Sequence, residues 1–109
     1  MLLDIRTYTC RPGMLKKQLA VYEKYGRDAQ HRIAGNPLGF LTTETGNINQ
    51  YVHIWVYTDA ADREAKRQAM NNDPDWAKYR EERDKLGALV SQENKLMKPV
   101  GFYPAPEPR

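Results

Sequence analysis

The stretch NQYVHIWVY, residues 49–57, decides the fold class because neither face of the strand that it predicts is suited to water. Side chains alternate between the two faces of a β-strand. One face of this stretch is aliphatic and carries Val52, Ile54 and Val56. The other face carries rings: Tyr51, His53, Trp55 and Tyr57. A strand half-exposed to water would place Lys, Glu or Thr on one side, so both faces of this strand are expected to be covered.

The rest of the chain adds three predicted strands and two helical regions around this strand. Strands are predicted over residues 2–9, 38–46 and 90–98, with a hairpin turn at Gly46-Asn47. A helix is predicted over residues 14–34 and a second helical region follows Asp59, restarting at Asp73-Pro74. The order β-α-β-β-α-β predicts a ferredoxin-like α+β fold.

The spacing of small and apolar residues predicts which helix faces pack inward. In the first helix Gly26 lies on the packing stripe, where glycine costs roughly 1 kcal/mol relative to alanine, so close packing is expected there. In the second region, alanines recur at helical spacing: Ala61, Ala65 and Ala69. After Pro74 the stripe consists of Trp76, Tyr79, Arg83 and Leu86.

The fold predicts how the sheet is covered. Strands one and three are expected to be neighbours at the centre of the sheet. The aliphatic face, which includes Leu3 and Ile5, is predicted to pack against the helices. The ring-bearing face is then left to a second copy of the chain, and two sheets meeting face to face would form a closed barrel in a homodimer.

Composition places limits on domain number and partners. The 109 residues are read as one domain over residues 1–103, followed by a proline-rich tail over residues 104–109. A formal charge of +3 is small for a nucleic-acid-binding protein. No signal-peptide pattern or membrane-spanning run is found, and Cys10 is the single cysteine. These features predict a cytoplasmic protein that binds neither nucleic acid nor membranes.

Several stretches together resemble the NIPSNAP family over roughly residues 3–102: DIRTYTCRPG, GFLTTETGNINQYVHIWVYTDAADRE, DPDW and SQENKLMKPV. The resemblance implies a dimeric α+β barrel. It implies no defined biochemical activity, because the family's activity is poorly characterised. Related barrel families include cofactor-free monooxygenases and haem-degrading proteins.

The ring-bearing face also carries the residues best suited to chemistry. Arg6, Tyr8 and His53 are the candidate catalytic residues, since His can act as acid or base near neutrality, Arg holds carboxylates, and Tyr donates hydrogen bonds. Candidate ligand contacts are Trp55, Tyr57 and Glu93, with Glu93 expected to pair with Arg6 across the sheet. The same groups could equally be buried polar residues with a purely structural role.

Three functions stay open at this point. The first is binding or transformation of a small organic molecule by a homodimer. The second is a non-catalytic homodimeric binding or scaffold module. The third is RNA recognition, which the absence of a glycine from residues 49–57 and the low charge disfavour. No metal site or nucleotide cofactor is predicted, because HxxxH, CxxC and glycine-rich phosphate loops are absent.

Overall fold

A computed structural model describes residues 1–108 and confirms the ferredoxin-like α+β fold. The elements in chain order are β1 (Leu2–Cys10), α1 (Leu15–Val21), a π-helical turn (Tyr22–Gly26), α2 (Arg27–Ala34), β2 (Gly39–Thr42), β3 (Gln50–Tyr57), α3 (Ala60–Asn71), α4 (Pro74–Leu86) and β4 (Leu89–Met97). Residues 104–108 of the predicted tail lie outside these elements, and residue 109 lies outside the described part of the chain. Within residues 1–108, the helices are too short or too polar to cross a bilayer.

The four strands form one antiparallel sheet in the order β2-β3-β1-β4. The prediction that strands one and three are central neighbours is therefore confirmed. In their register, Arg6 lies opposite His53 and Tyr8 lies opposite Tyr51. Residues opposite each other share a face of the sheet, so these four side chains lie on the same side.

Aspartates begin the last two helices, as the sequence predicts. Asp59 accepts a hydrogen bond from the backbone N–H of Asp62 at 2.8 Å, at the start of α3. Asp73 accepts one from the N–H of Trp76 at 2.9 Å, and Pro74 occupies the first position of α4. These bonds satisfy donors that a helix N-terminus otherwise leaves without partners.

The predicted close packing at Gly26 is confirmed, and it occurs within the π-helical turn. A Cβ atom on Gly26 would lie 2.9 Å from Cγ of Tyr79 and 3.2 Å from Cδ1 of Tyr22. The 2.9 Å distance to Tyr79 is shorter than real Cβ contacts, so a side chain here would displace the α4 ring. Gly26 therefore sets the distance between the first helical region and α4.

The second strand is shorter than predicted. It ends at Thr42 rather than near residue 46, and the connection to β3 is a loop over residues 43–49. Within this loop Asn47 Oδ1 accepts from the N–H of Asn49 at 3.0 Å, and the Asn47 carbonyl accepts from the N–H of Gln50 at 3.2 Å. These local bonds compete with strand pairing, and Gly46 adopts a positive φ of 118°.

The prediction of which sheet face meets the helices is wrong. The ring-bearing side chains of β3 are buried within the single chain, whereas Val52, Ile54 and Val56 on the other face are only half-buried. Trp55 packs in a core cluster with Ala34 of α2 and Met70 of α3. The helices supply both the apolar contacts and the hydrogen-bond partners that rings with polar tips require when buried. The face without helices is the aliphatic one.

Candidate functional site

A cavity of about 180 Å³ lies between the ring-bearing face of the sheet and the helices. Strand residues that line it include Arg6, Tyr8 and His53, and α4 contributes Trp76 and Tyr79. Hollows of about 400 and 460 Å³ lie beside α4 and along α3, but they are open surface grooves. A concave, partly enclosed space with converging polar groups is the usual form of a small-molecule site, so this cavity is the candidate site.

The floor of the cavity is held by an ionic network on β1. Arg6 Nη1 lies 3.1 Å from Asp4 Oδ2, and Arg6 Nε donates to the hydroxyl of Tyr8 at 3.0 Å. Asp4 also accepts from Asn94 Nδ2 at 3.1 Å and from Arg63 Nε at 3.0 Å. Burial opposes ionisation of Asp4, but these hydrogen bonds and charges outweigh it and keep its pKa below the ordinary value.

His53 is held as a neutral imidazole. The indole N–H of Trp55, which can only donate, donates to Nδ1 of His53. The proton of the neutral ring must therefore be on Nε2, and no residue within 1–108 hydrogen-bonds that nitrogen. Burial, reinforced by the charge of Arg6, lowers the pKa of His53 to about 3. His53 thus offers a hydrogen-bond donor at neutral pH.

Gln18, on α1, fixes the hydroxyls of two tyrosines that line the cavity. Its side chain is fully buried, and its Nε2 donates to Tyr51 at 3.3 Å and to Tyr79 at 3.0 Å. Burial raises the pKa of Tyr79 to about 12 and that of Tyr51 further above its ordinary value. Both phenols therefore stay protonated and uncharged at neutral pH.

The helices bring three further arginines to the cavity: Arg67, Arg80 and Arg83. Arg80 donates to Asn71 Oδ1 at 3.5 Å, and Arg83 donates to Asp84 Oδ1 at 3.3 Å. Arg67 has no ion pair or hydrogen bond with any residue in the described chain. Burial, followed by the charges of Arg6 and Arg63, lowers its pKa.

The charge of the lining is one-sided. With Arg6, four arginines line the cavity, and the lining residues within 1–108 include neither Asp nor Glu. A cleft lined by one sign of charge concentrates the opposite sign within it. Over the same residues no group of three His, Cys, Asp or Glu is placed to hold a metal ion. The arrangement is suited to an organic anion.

The structure brings together three of the six predicted site residues. Arg6, Tyr8 and His53 line one cavity, whereas Trp55 and Tyr57 lie in the core cluster behind it. The expected pairing of Glu93 with Arg6 is wrong. Thr7, not Arg6, lies opposite Glu93, so Glu93 points to the aliphatic face, and Asn94 lies opposite Arg6. A difference of one residue in register exchanges the face of a side chain.

Sequence reasoning missed Arg63 and Arg67 because it placed the wrong stripe of α3 inward. Ala61, Ala65 and Ala69 are exposed, and the inward stripe contains Arg63, Arg67 and Met70, which have the same helical spacing. Arg63 faces inward because buried Asp4 requires cationic partners. The signal available in the sequence was that an acid on a buried strand needs a basic residue from a helix.

The domain therefore defines a class of protein: a ferredoxin-like α+β fold with an arginine-lined cavity between its sheet and its helices. The sequence model of the NIPSNAP family matches residues 3–104, and the chain belongs to this family. A NipSnap homolog of Dictyostelium discoideum is 34% identical over 73 residues. The match covers 67% of this chain but only 32% of that relative, so the chain corresponds to about a third of its length.

Solved structures agree with this assignment. An uncharacterised NIPSNAP domain protein from Burkholderia xenovorans has a TM-score of 0.88 at 28% identity, covering 96% of this chain and 100% of its own. A NIPSNAP family protein of unknown function from Agrobacterium tumefaciens has a TM-score of 0.86 at 35% identity, covering 95% and 92%. An antibiotic biosynthesis monooxygenase has a TM-score of 0.63 at 15% identity, covering 92% and 99%, and shares the fold alone.

Proposed function

We propose that the chain binds a small organic anion in the arginine-lined cavity, and that it does so as a homodimer. The observation that carries the proposal is Arg67, a partly buried guanidinium that lines the cavity without a partner among residues 1–108. Partly burying a cation is costly unless an anion or an acceptor compensates it. A bound carboxylate would supply that partner, with Arg80 and Arg83 nearby in the lining.

The size of the cavity limits the anion. A volume of about 180 Å³ corresponds to about six water molecules at ~30 Å³ each. It is below the ~300 Å³ at which sites for drug-sized ligands begin. The ligand is therefore an acid of a few carbons, much smaller than a haem.

The homodimer is supported by the aliphatic face of the sheet, which the chain's own helices leave uncovered. Val52, Ile54 and Val56 are half-buried there, and Leu41 is 54% exposed. Opposite charges lie on the same face of β4, at Glu93 and Lys95. Under two-fold symmetry such a pair is self-complementary, since each charge can meet the opposite one on the second copy.

A non-catalytic homodimeric scaffold is the second candidate, and the saturation of the buried network favours it. Arg6 already pairs with Asp4 and donates to the hydroxyl of Tyr8, and Asp4 is bonded by Arg63 and Asn94 as well. His53 is also unsuited to act as a base near neutrality, because its Nδ1 is occupied and its pKa is about 3. Under this alternative, Arg67 has no ligand to hold.

Binding of small acids to two matched variants tests the proposal. Acetate, butyrate, hexanoate, succinate and benzoate would be titrated by NMR into the wild type, Arg67→Met and Lys66→Met. Lys66 lies next to Arg67 on α3 but outside the cavity lining, so its variant controls for the loss of one charge. Arg67→Met should weaken the best acid about tenfold or more, as expected for a charge-assisted hydrogen bond.

Two results would contradict anion binding: no acid binding to the wild type, or equal weakening by the two variants. The dimer is tested separately by light scattering, which should give twice the mass of one chain. A monomer at micromolar concentration would remove the homodimer from the proposal without affecting the cavity.

A further inference from the structure

Resting on the proposed function, we propose that the ligand is an oxo acid, with its carboxylate at Arg67 and its carbonyl oxygen on Nε2–H of His53. The inference concerns the substrate class of the same cavity. It follows from which hydrogen-bonding groups of the lining are still free and from whether each of them donates or accepts.

The direction of the His53 hydrogen bond is fixed by its own strand. Trp55 lies two residues further along β3, on the same face, and its indole N–H occupies Nδ1. Because indole has no acceptor, the ring cannot take a proton on Nδ1 while this bond exists. The cavity-lining imidazole therefore presents Nε2–H, for which the structure of residues 1–108 provides no acceptor.

Tyr8 supplies a second donor next to the first. Its ring centroid is 5.1 Å from that of His53, and its oxygen accepts from Arg6 Nε at 3.0 Å. Arg6 is in turn held by Asp4, so the acceptor side of the hydroxyl is engaged and its proton is left for a ligand. A carbonyl oxygen has two lone pairs and can accept from both groups.

The lining offers few acceptors to a ligand. Gln30 Oε1 accepts from the hydroxyl of Tyr22 at 2.6 Å, and Asn71 Oδ1 accepts from Arg80 at 3.5 Å. The amide of Gln92 lies on an exposed part of β4. A ligand hydroxyl or amine at His53 would bring a donor that has to share an oxygen already engaged in one of these bonds, and a poorly paired buried donor lowers affinity. A carbonyl avoids that loss.

The test uses acids that differ at one carbon. Butyrate, its 2- and 3-hydroxy derivatives and its 2- and 3-oxo derivatives would be titrated into the wild type, His53→Phe, Tyr8→Phe and Arg67→Met. The wild type should bind one of the oxo acids about tenfold more tightly than butyrate and the matching hydroxy acid, as expected for one hydrogen bond. Arg67→Met should weaken every acid by a similar factor and keep this preference.

His53→Phe and Tyr8→Phe should both remove the preference for the oxo acid and leave the affinity for butyrate unchanged. His53→Phe also deprives the Trp55 N–H of its acceptor, so Tyr8→Phe serves as the milder variant: it removes one hydroxyl while the ring stays stacked on Tyr51 at 5.0 Å. In the wild type, nitrogen NMR should report a protonated Nε2 whose shift moves when the preferred oxo acid is added.

The outcomes separate the two proposals. Equal affinity for oxo and non-oxo acids, a preference that survives in both His53→Phe and Tyr8→Phe, or an unprotonated Nε2 overturns the oxo-acid inference. Anion binding then still stands if Arg67→Met weakens binding. If Arg67→Met changes nothing, or if the wild type binds none of the acids, both proposals fall.

Discussion

The two faces of the sheet are built from alternate residues of the same strands, yet their side chains require different surroundings. Facing the helices, Trp55 is 1% exposed, and it binds His53 through its indole N–H. Facing away, its neighbours Ile54 and Val56 are half-buried and have no polar atoms in their side chains to satisfy. Rings with polar tips need hydrogen-bond partners within the chain, whereas aliphatic side chains need only to be covered.

Under the proposed function, the two faces would serve two different purposes. The helix-facing side carries the cavity and its fixed donors, so its residues would determine which anion binds. The other side is the proposed dimer interface, so its residues would determine whether two copies associate. Substitutions at neighbouring positions of one strand should therefore have effects of different kinds.

The largest effect is expected from Trp55→Glu. A carboxylate would replace an indole in the core cluster with Ala34 and Met70, and it would lie opposite the buried carboxylate of Asp4 on β1. The variant should lose more than about 4 kcal/mol of unfolding free energy and be largely unfolded. Circular dichroism and urea titration would show this, and a cooperative transition near that of the wild type would contradict the assignment of faces.

A second effect on the helix-facing side depends on pH. The pKa of His53 is about 3 in the folded chain and 6.5 when unperturbed. Between these values the unfolded chain binds a proton that the folded chain does not, so stability falls as the pH is lowered. The slope approaches about 1.4 kcal/mol per pH unit, or on the order of 2 kcal/mol between pH 6.5 and pH 5.

Urea titrations of the wild type and His53→Phe across this pH range would measure it, since His31 is present in both proteins. Asp4 also has a lowered pKa, but its contribution is lost only below its ordinary value of 3.8. A difference in stability that stays constant from pH 6.5 to pH 5 would show that His53 is not kept neutral by the fold.

Gly26→Ala should have an intermediate effect on stability, because it disturbs the packing between the π-helical turn and α4. The new Cβ would displace the Tyr79 ring, at a cost of about 1–3 kcal/mol. The higher helix propensity of alanine recovers up to about 1 kcal/mol of that. Gly101→Ala, with nothing within 4 Å of the new Cβ, is the control. Thermal unfolding should separate the two variants, and an increase in stability for Gly26→Ala would refute the close contact.

The smallest effect on the fold is expected from Ile54→Glu on the aliphatic side. Water can hydrate the new carboxylate in a single chain, so the circular dichroism spectrum should not change. The association of two copies should be lost, because a face-to-face dimer would bury the charge. Light scattering would report a halved mass, whereas Gln68→Glu on exposed α3 should keep the wild-type mass. A dimeric Ile54→Glu would place the interface elsewhere.

Local signals in the sequence were sufficient for the architecture. The strand order, the caps at Asp59 and Asp73 and the close contact at Gly26 each follow from a few neighbouring residues. The choice of sheet face did not, because alternation shows only that the two faces differ. What decides between them is the set of partners on distant helices, such as Gln18 and Arg63.

The part of the candidate site that could be predicted from the sequence is the part whose residues are brought together by strand pairing. Arg6, Tyr8 and His53 meet because β1 pairs with β3 in the expected way. Glu93 was misplaced because its register depends on an irregularity between Thr9 and Cys10, where the pairing of β1 with β4 shifts. Arg67 was missed because charged residues on a helix are ordinarily assigned to the solvent.

The π-helical turn carries a consequence for insertions and deletions. The N–H of Arg27 bonds the carbonyl of Tyr22, five residues back, so the turn contains one residue more than an α-helix would. Deleting one residue from this segment would restore regular α-helix but rotate α2 by about 100° relative to α1. Gln30 would then turn away from the Tyr22 hydroxyl it now accepts from. Homologous chains of different length in this segment would accordingly differ in the wall of the cavity.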